Sequence, residues 1–318
     1  MARSTQPELA VSNPPGGRSA AHERSTAANL LLSVRPGEWI KNTFVFAGLV
    51  FSRQLFERDA VLAALAAFGI FCALSGVVYL INDVADRERD RQHPRKRDRP
   101  IAAGALSPGT ALSTAALLAA GGLTAAWSMG SAFGAIATTY VTLLALYSGP
   151  LKHIVIIDVL TIAIGFVLRV AAGAIAVGVP MSHWLLVCTI LLAMFLGLSK
   201  RRHELVLLAD GAIGHRRILQ EYSPYLLDQM IGVVTASTLM AYVFYATAEE
   251  TAERFGTSLL GLTIPFPLYG IFRYLYLVHQ KEGGGSPAEL LLSDRPLLTC
   301  VALWGVAVVV IIYRPFGI

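Results

Sequence analysis

The chain has 318 residues, of which 55% are hydrophobic and 15% charged, and its mean hydropathy is +0.58. Soluble domains carry about 25% charge and about 45–50% apolar residues, so this composition leaves almost no room for a soluble enzyme, a disordered chain or a collagen-like one. The net charge of +5 fits basic cytoplasmic loops on a membrane protein better than a nucleic-acid partner.

Residues 1–28 are rich in Ser, Pro, Gly and Ala and lack the apolar core of a signal peptide. They read as a disordered cytoplasmic tail, which leaves 29–318 as one polytopic membrane domain. Nine apolar stretches follow, near 38–55, 60–83, 109–127, 130–149, 155–177, 182–199, 226–248, 256–278 and 296–314. Most are close to the roughly 20 residues a transmembrane helix needs, and the first is the shortest. Backbone groups in lipid need internal partners, so the spans are helices. The fold class is therefore all-α, a bundle of about nine spans. Ser107-Pro108, Ser223-Pro224 and Ser286-Pro287 each place a capping hydroxyl before a proline suited to a first helical turn.

Lys and Arg fall twenty to four on the two sides of this topology, with Arg169 and Arg273 inside spans. That asymmetry puts the N-terminus and the even-numbered loops in the cytoplasm of the plasma membrane and the C-terminus outside. Cys72, Cys188 and Cys300 lie far apart inside apolar runs and read as small buried hydrophobes. Small residues such as Ala171-Ala-Gly-Ala suit helix packing, and a homo-oligomer is compatible with them.

The second span ends in Tyr79-Leu-Ile-Asn82-Asp83-Val-Ala-Asp86-Arg-Glu-Arg-Asp90. On a continuing helix Asp83, Asp86 and Asp90 fall within about 60° of one another, with Asn82 at the edge. Carboxylates sharing a face repel unless a cation sits among them, and oxygen donors of this kind suit Mg²⁺, with Mn²⁺ as the other candidate. A solvated, charged helix end is the alternative reading. His93-Pro-Arg95-Lys96-Arg97-Asp98-Arg99-Pro100 follows at once. It reads both as a topology-setting loop and as a phosphate clamp.

Asn82-Asp83-x-x-Asp86-x-x-x-Asp90, with Arg99-Pro100-Ile101 and Gly104 after it, resembles the first signature of the UbiA superfamily of intramembrane prenyl-group transferases. The resemblance covers the chain from about residue 30 onward. It implies a nine-helix bundle around a cytoplasm-facing polar site and a lipid-accessible groove, with Asn82, Asp83, Asp86 and Asp90 holding Mg²⁺ against a diphosphate.

Prenyl-transferring members carry a second Asp-rich motif after the sixth span, where this chain has Ser199-Lys200-Arg201-Arg202-His203-Glu204. That departure, together with Lys41, Asn42, Tyr147, Lys152, Asp158 and Asp228, is similar to the branch of the family that moves a phosphoribosyl group. Its donor is phosphoribosyl diphosphate (PRPP), its acceptor decaprenyl phosphate, and its product a precursor of cell-wall arabinan. In this branch the diphosphate is on the sugar, and the lipid brings only a monophosphate. The resemblance implies catalytic Asp83, Asp86, Asn82 and Lys152. It implies substrate contacts from Lys41, Asn42, Tyr79, Asp90, Arg95, Lys96, Arg97, Arg99, Tyr147, Asp158, Lys200, Arg201, Arg202 and Glu204. An aromatic prenyltransferase is the alternative within the same fold, and a transporter is the alternative from another class.

Arg169 stands deep in a span, about 11 residues past Asp158 on nearly the same face. An intramembrane arginine is a functional candidate, with a structural ion pair or cavity lining as the other readings. Arg273, His279 and the run Phe272-Arg-Tyr274-Leu-Tyr276 read as membrane-interface residues, and Gly283-Gly-Gly-Ser286 as a flexible connection.

Overall fold

The computed structural model describes residues 23–93, 96–209, 218, 221–281 and 285–313, and every regular element among them is helical. In chain order these are α1 (Thr26–Ser33), a 3-10 strap (Pro36–Phe46), α2 (Ala47–Val50), α3 (Arg58–Ala85), α4 (Arg87–Gln92), α5 (Pro108–Ser128), α6 (Ser131–Ser148), a 3-10 turn (Leu151–His153) and α7 (Ile157–Ala176). The second half holds α8 (His183–Ala209), α9 (Pro224–Thr247), α10 (Glu249–Phe255), a 3-10 turn (Leu259–Thr263), α11 (Pro265–Gln280), α12 (Pro287–Ser293) and α13 (Arg295–Tyr313). α1 begins at Thr26 on a Ser25 cap, inside the stretch read from sequence as tail.

Seven helices among the described residues are long and apolar enough to cross a membrane: α3, α5, α6, α7, α8, α9 and α13. An eighth span results if α10 and the segment Leu259–Gln280 count as one, although they meet at 103°. Length and composition thus account for seven or eight of the nine expected spans among the described residues. The eighth expected stretch is broken at Gly256, which takes φ +62°, and α11 restarts on Pro265. The first expected stretch, 38–55, forms the strap and the four-residue α2, which run antiparallel beside α3: Arg35 meets Asp83, Asn42 meets Ser75 and Phe46 stacks on Phe68. The strap enters through Arg35 at φ +54° and then Pro36, which separates it from α1.

The three Ser-Pro pairs do open helices. Ser107 Oγ accepts from Thr110 N at 3.0 Å, Ser223 Oγ from Leu226 N at 3.1 Å and Ser286 Oγ from Glu289 N at 3.4 Å. Cys72, Cys188 and Cys300 are free thiols.

α3 is the hub, packed on α5, α6, α7 and the strap, while α7, α8 and α9 continue the bundle side by side. Its core face buries Phe71 against Phe133 and Tyr140, whose ring centroids lie 6.1 and 5.0 Å away. Lipid gives no hydrophobic drive between helices, so close packing of small residues matters more. A Cβ on Gly173 of α7 would stand 1.8 Å from the Val45 carbonyl oxygen, and one on Gly48 would stand 2.7 Å from Ala174 N. The small-residue run in α7 thus receives the strap and α2 of its own chain.

Candidate active site

α3 delivers Tyr79, Asn82 and Asp83 in its last turns and stops at Ala85. Asp86 is the joint, with φ −94° and ψ 6°, and α4 restarts at Arg87 to carry Asp90. The Asp90 amide donates to the Asp86 carbonyl at 2.8 Å, which preserves helical spacing across the joint. Asp83 is 2% exposed and Asp90 4%. Asp83, in the last turn of α3, opposes the helix dipole, and both carboxylates are drawn from water. Such a placement holds only if cations face them.

The cations come from three places in the chain. Arg35, beside the strap, donates to Asp83 Oδ1, and its guanidinium lies 4.9 Å from the Tyr79 ring centroid. Arg99 Nη1 lies 3.2 Å from Asp83 Oδ1 and 2.6 Å from Asp90 Oδ2, so one cationic nitrogen is shared by two carboxylates. Lys152, on the turn after α6 and almost fully buried, donates to Asp86 Oδ1 at 2.8 Å. The more exposed Arg89 reaches the same oxygen at 3.9 Å.

Among the described residues no three Asp, Glu, His or Cys side chains converge as a metal shell would. The expected set of Asn82, Asp83, Asp86 and Asp90 is split: Asp83 and Asp90 meet at Arg99, while Asp86 turns to Lys152. The donors nevertheless fit Mg²⁺. Two carboxylate oxygens already flank one positive charge, and Mg²⁺ keeps several waters and takes further ligands from phosphates, so it requires only one or two protein carboxylates.

A second network lies beside Lys152. Asp158 is in the first turn of α7, where the helix dipole favours it, and is fully buried. Arg201 Nε donates to Asp158 Oδ2 at 2.7 Å, Nη1 to Glu204 Oε2 at 2.6 Å and Nη2 to Tyr147 OH at 3.1 Å. Tyr222 OH donates to Asp158 Oδ1 at 3.0 Å and accepts from the Ile156 amide at 2.7 Å. Burial pushes the Tyr222 phenol up to about 12, so it remains a donor throughout the neutral range. Ile156 takes φ +68°, a costly conformation for a β-branched residue, and the Tyr222 bond helps to hold it. Tyr222→Phe strands the Ile156 N–H and removes one partner of Asp158. It is expected to lower stability by about 1–3 kcal/mol, read as a fall in the thermal midpoint with little change in substrate KM.

Other residues of the expected contact set have these partners in the structure. Asp158, Tyr147 and Glu204 all meet Arg201 beside the Lys152 loop; Arg201 is only 2% exposed. Asn42 is buried against Arg169, Ser75 and Cys72. Lys41 pairs with Glu38 within the strap. Arg202 pairs with Asp228, to which His279 Nε2 approaches at 3.3 Å. Lys96 and Lys200 are half-buried and Arg97 is exposed, while Arg95 lies outside the described residues. Arg35 is the residue sequence reasoning missed. The Arg-Pro-Gly turn signal before the strap was visible, but its meeting with Asp83, 48 positions later, was not.

A groove of about 600 Å³ opens between α9 and α11, lined by Ile231, Gly232, Ala236, Leu239, Phe272 and Leu275, with Asp228 and His279 also among its lining residues.

With this geometry in view, the known proteins that the chain resembles are informative. The model of the UbiA prenyltransferase family matches residues 43–289. A decaprenyl-phosphate phosphoribosyltransferase from Mycolicibacterium smegmatis is 31% identical over 299 residues, covering 90% of this chain and 93% of the relative. One from Corynebacterium glutamicum is 30% identical over 295 residues, covering 91% and 88%. Among solved structures, a UbiA homologue from Archaeoglobus fulgidus bound to DMAPP and Mg²⁺ superposes with a TM-score of 0.68 at 19% identity, over 88% of this chain and 99% of that one.

Proposed function

Since the chain belongs to the UbiA prenyltransferase family and is a multi-pass membrane enzyme of that fold, we propose that it transfers the 5-phosphoribosyl group of PRPP to a polyprenyl phosphate, decaprenyl phosphate in the first instance, with release of diphosphate. The observation that carries this reading is the single acidic segment at the end of α3 and in α4, with Asp83 and Asp90 held by Arg35 and Arg99 and the neighbouring Asp86 by Lys152. α8 carries Lys200-Arg201-Arg202 where prenyl-transferring members place a second acidic cluster. One site for one diphosphate suits a reaction in which only the sugar carries that group. The names of the relatives support the same donor and acceptor.

Asp83 and Asp90 are the residues to hold Mg²⁺, which when bound supplies charge neutralisation to the diphosphate. Arg35 and Arg99 turn from carboxylate to phosphate oxygens as the donor arrives, a geometry the guanidinium fork fits. Lys152 adds a compact positive charge beside the leaving group. The bond from ribose C1 to the diphosphate oxygen breaks as the sugar takes on oxocarbenium character, and an oxygen of the lipid phosphate bonds to C1 from the opposite face, with inversion. The attacking phosphate is already anionic near neutral pH. No general base is needed, and the acceleration comes from positioning and charge stabilisation. The basic side of the topology carries these residues and is assigned to the cytoplasm, where soluble PRPP is met.

We assign the isoprenoid chain of the acceptor to the α9–α11 groove, whose apolar lining suits it. An added Cβ on Gly232 meets open space, so Gly232→Trp fills the groove without disturbing the helix. It is expected to raise KM for the polyprenyl phosphate by about tenfold, the 1.4 kcal/mol equivalent of lost apolar contact, with KM for PRPP unchanged.

Diphosphate release tests the reading as a whole. Purified protein in detergent receives either PRPP with decaprenyl phosphate or a prenyl diphosphate with an aromatic acceptor. Release with the first pair alone is expected; release with the second pair alone overturns the proposal in favour of aromatic prenyl transfer.

A further inference from the structure

Arg169 is 5% exposed in the middle of α7, and none of the ion pairs among the described residues includes it. Its partners are neutral. Nε donates to Asn42 Oδ1 at 2.8 Å and Nη2 to Tyr140 OH at 2.6 Å. The guanidinium carbon lies 4.8 Å from the Tyr140 ring centroid and 5.0 Å from that of Phe166. A charge kept inside the membrane without a counter-ion is costly, and the hydrogen bonds it makes are what it provides in return.

Those bonds converge on the strap. Asn42 Nδ2 donates onward to Ser75 Oγ at 3.2 Å and Cys72 Sγ at 3.3 Å, so one arginine ties the strap to α3, α6 and α7 together. The strap has particular need of such a tie. It is 11 residues of 3-10 helix, where runs beyond three or four residues are uncommon because the hydrogen-bond geometry is poor. Its entry at Arg35 is in the left-handed region. Its C-terminal end, at Val45, rides on bare backbone at Gly173. And it begins one residue after Arg35, the side chain that reaches Asp83.

We propose that Arg169 is a positioning residue: by clamping Asn42 it fixes the strap against the bundle and so holds Arg35 at the Asp83–Asp90 face for the donor's phosphates. This rests on the donor site described above. A guanidinium is required because the clamp pulls in two directions at once, which an ammonium on a flexible stem does not reproduce.

The test is a double-mutant cycle read as KM for PRPP in the purified protein, with decaprenyl phosphate as acceptor. Arg169→Met and Arg35→Ala are each expected to raise KM by about tenfold with kcat within about threefold, and the double variant to be no worse than Arg35→Ala alone, the signature of residues acting as one unit. Arg169→Lys is expected to behave as Arg169→Met. Multiplying effects in the double variant, or full rescue by Arg169→Lys, overturn the clamp and leave Arg169 a source of positive field only. If Arg169→Met does not fold, Asn42→Ala takes its place in the cycle. Hydrogen exchange across residues 36–46 supplies a readout independent of turnover: faster exchange in Arg169→Met or Asn42→Ala supports the clamp, and unchanged exchange overturns it. A wild-type protein that fails to use PRPP, with exchange still released in the variants, refutes the donor assignment and leaves the clamp standing.

Discussion

Asp83→Asn is expected to lower kcat by about 10³-fold or more, about 4 kcal/mol of transition-state stabilisation at 1.36 kcal/mol per tenfold, while the protein still folds. The substitution keeps the size of the side chain and removes its charge. In the native site Asp83 is buried between Arg35 and Arg99, and without its charge Arg35 loses its carboxylate partner while Arg99 keeps Asp90. The carboxylate pair that makes the face a cation site is reduced to one. Phosphate oxygens still find the guanidiniums, so KM for PRPP should change less than kcat. Titrating Mg²⁺ against turnover separates this from simple misfolding: the variant is expected to need far more metal for whatever activity remains. Near-normal kcat with a normal metal requirement would remove Asp83 from the site's chemistry.

Lys152→Met is expected to lower kcat/KM by about 10²–10³-fold, the usual range for losing one preorganised charge-stabilising group. Lys152 is held in place by burial and by its 2.8 Å bond to Asp86. The turn that carries it is braced by the Tyr147–Arg201–Asp158–Tyr222 network, so it is a preorganised charge and not a mobile surface lysine. Met matches the stem and leaves Asp86 with the distant, exposed Arg89. Lys152→Arg should restore only part of the rate, since a planar fork cannot occupy the site of a compact ammonium. Steady-state kinetics with both substrates decides the matter, and a Met variant within threefold of wild type would reduce Lys152 to a purely structural partner of Asp86.

Much of this site was legible in the sequence because its signals are local. The period that places Asp83 and Asp90 on one face survives the joint at Asp86. Each Ser-Pro pair starts a helix because capping is decided within three residues. What was not legible depends on distant pairs. Hydropathy over 38–55 reads as a span but does not give its helix type: the strap is a 3-10 helix whose Val45 carbonyl lies against bare backbone at Gly173, more than a hundred residues away. Arg201 and Asn42 have the chemistry of substrate ligands, and their partners in the structure, Asp158 and Arg169, are distant in the chain. Asp83 and Asp86 are three residues apart on a helix but end on different cations, since the helix stops between them. Arg35 was passed over for the complementary reason: nothing near it in the chain is acidic except Glu38.

The central claim is that the acidic face binds the diphosphate of a soluble sugar donor. It is tested most directly with PRPP labelled in its 5-phosphate, incubated with purified protein and decaprenyl phosphate, with Mg²⁺ or with EDTA. The account predicts that label enters the organic phase with Mg²⁺ and stays in water with EDTA. Label that remains aqueous in both, from protein that is folded and binds the lipid, would contradict it.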